Sequence, residues 1–292
     1  MSNFPYPGLR PFKRDETDIF FGRNELSNQL IEKLGDTHFL AVVGLSGSGK
    51  SSLVCTGLLA GLERGLLPRA GIRWRIAKCR PSDRPFFRLA NALLTDTALK
   101  KEYTAHFTTD DISDAEIPRF LEAQLRRGAL SLNDILKDSP LPPKTNLLLV
   151  IDQFEEIFRH YQQGDVNKSA EFVELLLESS KHPAVYVVIT MRSEFIGHCA
   201  LFDGLPEAIN DGLFLTPRLT REQLRLTIEG PAKVFGGQVE PDLVNRLLNE
   251  VNANIDDKSD TLDRLPVLQH ALMRMWTRPH PHQRMLQYWQ SI

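Results

Sequence analysis

The run Gly44-Leu45-Ser46-Gly47-Ser48-Gly49-Lys50-Ser51 carries the most explicit chemistry in the chain, because it fits the pattern GxxxxGK[ST]. Its glycines let successive backbone N–H groups converge on phosphate oxygens. Lys50 reaches the outer phosphates, and the Ser51 hydroxyl is a hard oxygen ligand for Mg²⁺. A helix beginning here, with Ser52 in its first turn, points its positive end at the anion. A chance match in a chain of this length is expected roughly one time in a hundred, given ordinary glycine usage. The match also sits between an apolar run and a helical run, which is the context the motif requires. The bland alternative is a glycine turn that merely precedes a helix.

A second set of residues supplies carboxylates. Leu147-Leu148-Leu149-Val150-Ile151-Asp152 is apolar until its last residue, which would place one carboxylate beside the water shell of the metal. Just beyond it, Glu155 and Glu156 are candidates to orient or deprotonate an attacking water, with Glu155 preferred. Both are equally readable as solvated carboxylates opening a helix. Arg192 follows another apolar run, and a guanidinium there can contact a terminal phosphate. The competing reading pairs Arg192 with Glu194.

These residues need a scaffold. Helical periodicity covers Asn24 to Leu34, with Leu26, Leu30 and Leu34 on one face, and Ser51 to Leu62 after the glycine loop. Strand-like runs are His38 to Val43, Trp74 to Cys79, Asn146 to Asp152, Ala184 to Met191 and a weak one at Gly212 to Leu215. Helices over Pro85 to Leu94 and Ile117 to Leu130 lie between them. Strands alternating with helices give an α/β fold, a parallel-sheet core with helices on both faces. From Pro217 the pattern is helical only, over Thr220 to Phe235, Pro241 to Val251 and Leu265 to Trp276. The expected division is an irregular lead-in over 1–22, a core over 23–216 and a smaller all-helical lid domain over 217–292.

Bulk properties narrow the partners. The 292 residues are 42% hydrophobic and 25% charged with a net charge of −2, an ordinary globular balance without the basic excess of a nucleic-acid binder. The three cysteines, Cys55, Cys79 and Cys199, form no CxxC pair and read as reduced thiols. No apolar run is long enough for a membrane span and no signal pattern opens the chain. The expectation is a cytoplasmic protein with no membrane and no direct nucleic-acid partner.

An ordered set of motifs extends the reading. It runs from Pro7-Gly8-Leu9-Arg10-Pro11-Phe12 and Phe20-Phe21-Gly22-Arg23-Asn24-Glu25-Leu26 through the phosphate loop, then Asp152-Gln153-Phe154-Glu155-Glu156 and Thr190-Met191-Arg192. It continues with Glu229-Gly230-Pro231-Ala232 and Leu265-Pro266-Val267-Leu268-Gln269-His270-Ala271-Leu272. The set resembles the STAND class of signal-transducing NTPases, in particular the novel STAND NTPases. The resemblance implies an ATPase core with a helical lid, closed with ADP and opened or oligomerised with ATP. It implies that Arg23 lies at the nucleotide and that Pro266 packs on the adenine, although Pro266 also suits the first turn of any helix. The acidic strand end is similar to that of NACHT NTPases, with Glu155 and Glu156 at matching spacing from Asp152. Family members usually add a winged helix, a carboxyl-terminal repeat array and often an amino-terminal effector. The chain has neither an array nor room for an effector and is expected to be a fragment, a truncated product or a partner-dependent core.

The leading expectation is therefore a Mg²⁺-dependent, slowly hydrolysing ATP/ADP switch that acts on protein partners or on copies of itself. A nucleotide-gated scaffold with little hydrolysis is the alternative, since Gln153 stands where many such ATPases carry an acidic residue. A transporter ATPase subunit shares the loop but would need an LSGGQ-like stretch before Asp152, and a small-molecule kinase would need an arginine-rich lid. No NKxD-type guanine reader is visible, which favours ATP. His280 and His282 in the tail read as solvated.

Overall fold

Apolar runs bounded by glycine and proline pair into one parallel sheet. The computed structural model describes residues 4–95, 97–105, 113, 115–162, 164–252 and 264–277, and His280 and His282 lie outside them. The strands are β1 (Phe39–Gly44), β2 (Arg73–Cys79), β3 (Thr145–Ile151), β4 (Val185–Arg192) and β5 (Leu213–Leu215), in the order β2-β3-β4-β1-β5. Each lies within a residue of the run expected for it. Register is set by pairs such as Ile76 with Leu148, Leu149 with Val187 and Ala41 with Leu213.

Position in the sheet explains composition. β3 is buried along its whole length, so Leu147 to Ile151 carry no polar side chain. Edge strand β2 is buried only at Ile76 and Ala77 and bears Arg73, Arg75 and Lys78, charges that discourage a further strand from adding. The chain passes from β1 out to β2 and then returns through β3 and β4. With right-handed crossovers, that reversal of direction puts helices on both faces. One helix is shorter than its periodicity suggested. The run from Ile117 stops at Leu125, the chain turns at Gly128 with φ 151°, and a new helix spans Ser131–Asp138. Glycine accepts that backbone at little cost, and the apolar spacing carries no sign of it.

Two compact units divide the chain. The sheet unit lies within Leu30–Val43 and Leu62–Leu215. Its core joins Leu147, Leu149, Val187 and Ile189 to helix residues such as Phe86, Leu89 and Phe172. The Phe86 and Phe172 rings meet edge to face at 5.4 Å.

The loop unit lies within Met1–Gln29, Gly44–Gly61 and Thr216–Ile292. Its apolar centre is made by three lid helices, Arg221–Val234, Pro241–Asn252 and Leu265–Trp276, through Leu224, Ile228, Leu247, Leu268 and Leu272. The first lid helix opens on a reciprocal cap, in which Gln223 N–H donates to Thr220 Oγ1 and Thr220 N–H donates to Gln223 Oε1. The proline-rich lead-in belongs to this core. Tyr6 is 2% exposed, and its hydroxyl donates to the Ile228 carbonyl at 2.5 Å, so the buried phenol is satisfied. That carbonyl lies one turn before Pro231, where the ring interrupts the helical ladder.

Candidate nucleotide site

One group of candidate residues lies in the loop unit. Buried β1 ends at Gly44, and the chain turns through Gly47 (φ 80°) and Gly49 (φ 82°) before a helix starts at Lys50. The glycines serve different ends. A Cβ on Gly49 would touch nothing within 4 Å, so its left-handed backbone is the requirement. A Cβ on Gly44 would stand 3.0 Å from Ser48 Oγ and 3.1 Å from Thr216 Cβ, so there close packing is the requirement. The helix has no side-chain N-cap, as expected of a helix start that faces an anion. It runs Lys50–Ser52, widens into a π-helical segment over Leu53–Leu58 and resumes over Leu59–Glu63.

The side chains around the loop bind it to itself and to the lead-in. Lys50 Nζ donates to the Gly44 and Leu45 carbonyls at 2.9 and 2.7 Å. Arg23, 3% exposed, donates to the Ser48 carbonyl at 2.8 Å and the Pro217 carbonyl at 3.3 Å. Ser52 Oγ accepts from Phe12 N–H at 3.2 Å, and Thr56 Oγ1 donates to the Lys13 carbonyl at 3.0 Å. Ser46 and Ser51 are half-buried on the loop and in the first helical turn. Among the described residues the buried Ser48 and Thr216 hydroxyls have no hydrogen-bond partner. Pro266 is half-buried in the first turn of the third lid helix.

A second group lies in the sheet unit, at the carboxyl ends of β2, β3 and β4. Asp152 leaves β3 with 2% exposure, and each of its oxygens is held. Thr190 Oγ1 donates to Oδ1 at 2.8 Å, and Arg80 Nε stands 3.4 Å from Oδ2. Asp152 N–H donates to the Cys79 carbonyl at 2.8 Å, so the aspartate is strung between the ends of β2 and β4. Burial beside this point pushes the Cys79 thiol up to about 12. The chain then reverses at Gln153, φ 59°, whose N–H donates to Thr190 Oγ1 at 3.0 Å. That turn brings Glu155 back under the sheet edge, 6% exposed, with Oε1 at 3.5 Å from Arg192 Nε. Arg192 also reaches Glu194 at 3.3 Å. Glu156 opens the next helix, and its Oε2 accepts from Ser82 N–H at 2.8 Å.

The candidates thus fall into two groups. Arg23, Gly44 to Ser52 and Pro266 belong to the loop unit, and Asp152, Glu155, Glu156 and Arg192 to the sheet unit. Arg192 takes both partners, Glu194 as one reading expected and Glu155 besides. Arg80, Thr190 and Ser82 escaped the reading as site residues. The rule that ligands gather at the carboxyl ends of parallel strands, applied to β2 as it was to β4, points to Arg80. The Ser51 hydroxyl and Asp152 carboxylate are hard oxygens that suit Mg²⁺. Among the described residues no cluster of three or more His, Cys, Asp or Glu could hold a metal by itself.

Comparison with solved structures gives the same fold at low identity. The Orc1 protein of Aeropyrum pernix, determined in complex with DNA, superposes with a TM-score of 0.55 at 16% identity over 96% of this chain and 69% of that one. The Orc2 protein of the same organism gives 0.54 at 13% identity, covering 100% of this chain and 70% of that one. A Walker-type ATPase of Pyrococcus abyssi gives 0.50 at 17%, over 97% and 75%. No curated protein matches the sequence. Among the described residues no helix is long and apolar enough to cross a membrane. The match that decides the family is to the model of Novel STAND NTPase 1, which spans residues 5–291 and so takes in both groups of candidate residues. The chain belongs to the novel STAND NTPases and is a nucleotide-binding P-loop NTPase.

Proposed function

We propose that the chain is a Mg²⁺-dependent ATP/ADP switch that hydrolyses slowly and governs the assembly of a larger complex with protein partners or with copies of itself. The backbone of Gly44 to Ser51 and the Lys50 ammonium bind the phosphates, and Ser52 extends the helix start that faces them. Ser51 and Asp152 would hold the Mg²⁺, which would supply positive charge beside the phosphates. Pro266 packs on the adenine, and the lid closes on ADP and opens with ATP.

The observation that carries this reading is the ion pair between Glu155 and Arg192 at 3.5 Å. Glu155 is the group assigned to the water, and Arg192 the group assigned to the terminal phosphate. A carboxylate beside a guanidinium is a weaker base for water until the pair opens. A terminal phosphate competes for that guanidinium, so arrival of ATP is what frees the base. Such an arrangement favours slow turnover and makes it conditional on the nucleotide.

The scaffold reading draws on one further contact, the hold of Ser82 N–H on Glu156. With both glutamates engaged, little hydrolysis is expected. Single-turnover hydrolysis of labelled ATP separates the two. Release of ADP with a rate that falls when Glu155 is changed to Gln supports the switch. Recovery of the ATP intact after prolonged incubation overturns it in favour of the scaffold. The nucleotide that co-purifies, identified after denaturation, tests ATP against GTP.

A further inference from the structure

The segment Phe21-Gly22-Arg23 is built into two structures at once, both inside the loop unit. On one side it is moored on the first lid helix. The Phe21 ring occupies the space left at Gly230, where a Cβ would come within 2.6 Å of it. Gly22 has φ 82°, and a Cβ on it would stand 2.7 Å from the Gln223 carbonyl oxygen and 3.1 Å from Thr227 Cγ2. Conformation and space both demand glycine there.

On the other side the segment grips the phosphate loop. The buried Arg23 guanidinium donates to Ser48 O inside the loop and to Pro217 O at the entrance to the lid helices. Its own carbonyl accepts from Ser27 Oγ at 3.0 Å. Ser27 in turn sits tight against the loop helix at Gly57, where a Cβ would fall 2.2 Å from that hydroxyl oxygen. A glycine-rich loop has many backbone conformations open to it, and ordering it around an anion costs entropy unless something fixes it beforehand. Arg23 is placed to do that, because a planar guanidinium presents several donors in a rigid fork.

We propose that Arg23 is a positioning residue, which locks the phosphate loop through the Ser48 carbonyl and ties it to the base of the lid, with Phe21 and Gly22 as its mooring. It thereby acts on the nucleotide through the loop backbone and not by touching phosphate or base, and a change in the lid reaches the loop through it. The proposal rests on Gly44 to Ser51 being the loop that holds the phosphates. Lysine in place of Arg23 keeps the charge but not the fork, in which separate nitrogens reach the Pro217 and Ser48 carbonyls.

The test uses the full chain stripped of nucleotide, as wild type and as Arg23→Lys, Arg23→Gln and Gly22→Ala. Hydrogen exchange is measured first, without nucleotide, over Ser46–Lys50 and Thr216–Thr220. Affinities for fluorescent ADP and ATP analogues follow. Both Arg23 variants should raise exchange in both segments and weaken ADP and ATP alike, by about tenfold or more. Gly22→Ala, which leaves the guanidinium in place, should raise exchange in the same two segments. Unchanged exchange in the Arg23 variants overturns the proposal. So does a lysine variant that keeps its affinity while the glutamine variant loses it, since that marks a charge contact with the nucleotide. If the Arg23 variants do not fold, Gly22→Ala decides, and unaltered loop exchange in it overturns the proposal. Wild-type protein that binds neither analogue defeats the loop assignment instead, and the nucleotide-free exchange still judges the role of Arg23.

Discussion

The two units hold their functional groups by different means. In the loop unit the contacts run from side chain to backbone: Lys50 to the Gly44 and Leu45 carbonyls, Arg23 to the Ser48 carbonyl, Phe12 N–H to Ser52. In the sheet unit the carboxylates of Asp152 and Glu155 are held from side chain to side chain, by Thr190 and Arg80 and by Arg192, although Glu156 is held by a backbone N–H. Backbone contacts fix a shape and leave it little freedom to change. Ion pairs among partly exposed groups are individually weak and can exchange partners as charge moves. The first arrangement suits a part that binds, and the second suits a part that must respond during a reaction. Substitutions in the loop unit should therefore remove affinity, and substitutions in the sheet unit should remove turnover or metal dependence.

Lys50→Ala should break the binding side most deeply. Losing a charged donor to the outer phosphates should cost on the order of a thousandfold in ATP affinity. The fold should survive, because the Lys50 ammonium bonds only loop carbonyls in the contacts described above. Equilibrium titration alongside a thermal melt checks both, and unchanged affinity in a folded variant would remove the basis for the phosphate-loop reading.

Glu155→Gln should cut the single-turnover rate by about a hundredfold or more while sparing ATP binding. Glu156→Gln should do neither, since its carboxylate is committed to Ser82 N–H. The reverse result would move the base by one residue. Asp152→Asn should fall between the two classes. It should weaken binding by about tenfold in Mg²⁺ and change little in EDTA, and an equal loss in both would detach this residue from the metal.

The smallest effect is expected at the lid. Pro266→Ala should weaken ADP binding by about 1 kcal/mol, the scale of one packing contact on an aromatic face. ADP should also slow hydrogen exchange across Leu265 to Ala271 more than ATP does. Identical exchange in the nucleotide-free, ADP and ATP states would mean that the third lid helix does not read the nucleotide, and the contrast between the units would then be binding against chemistry alone.

Features defined by near neighbours in the chain were legible in advance. The glycine, lysine and serine spacing of the loop, the unbroken apolar run of β3 and the aspartate that ends it are local patterns, and local patterns follow from backbone geometry. So were the limits of β1, because burial on both faces keeps polar residues out of it. The partners of the functional groups were not. Arg80 lies 72 positions from Asp152, Arg23 lies 194 from Pro217, and Tyr6 lies 222 from Ile228. Nothing in hydrophobic alternation records that β2 and β4 flank β3, so nothing in it announces that Arg80 and Thr190 will share one carboxylate. The lead-in read as irregular because proline and glycine exclude regular elements. Its irregular path is nonetheless fixed by Tyr6 in the lid core and Phe12 on Ser52, contacts that exist only once the chain has folded back on itself.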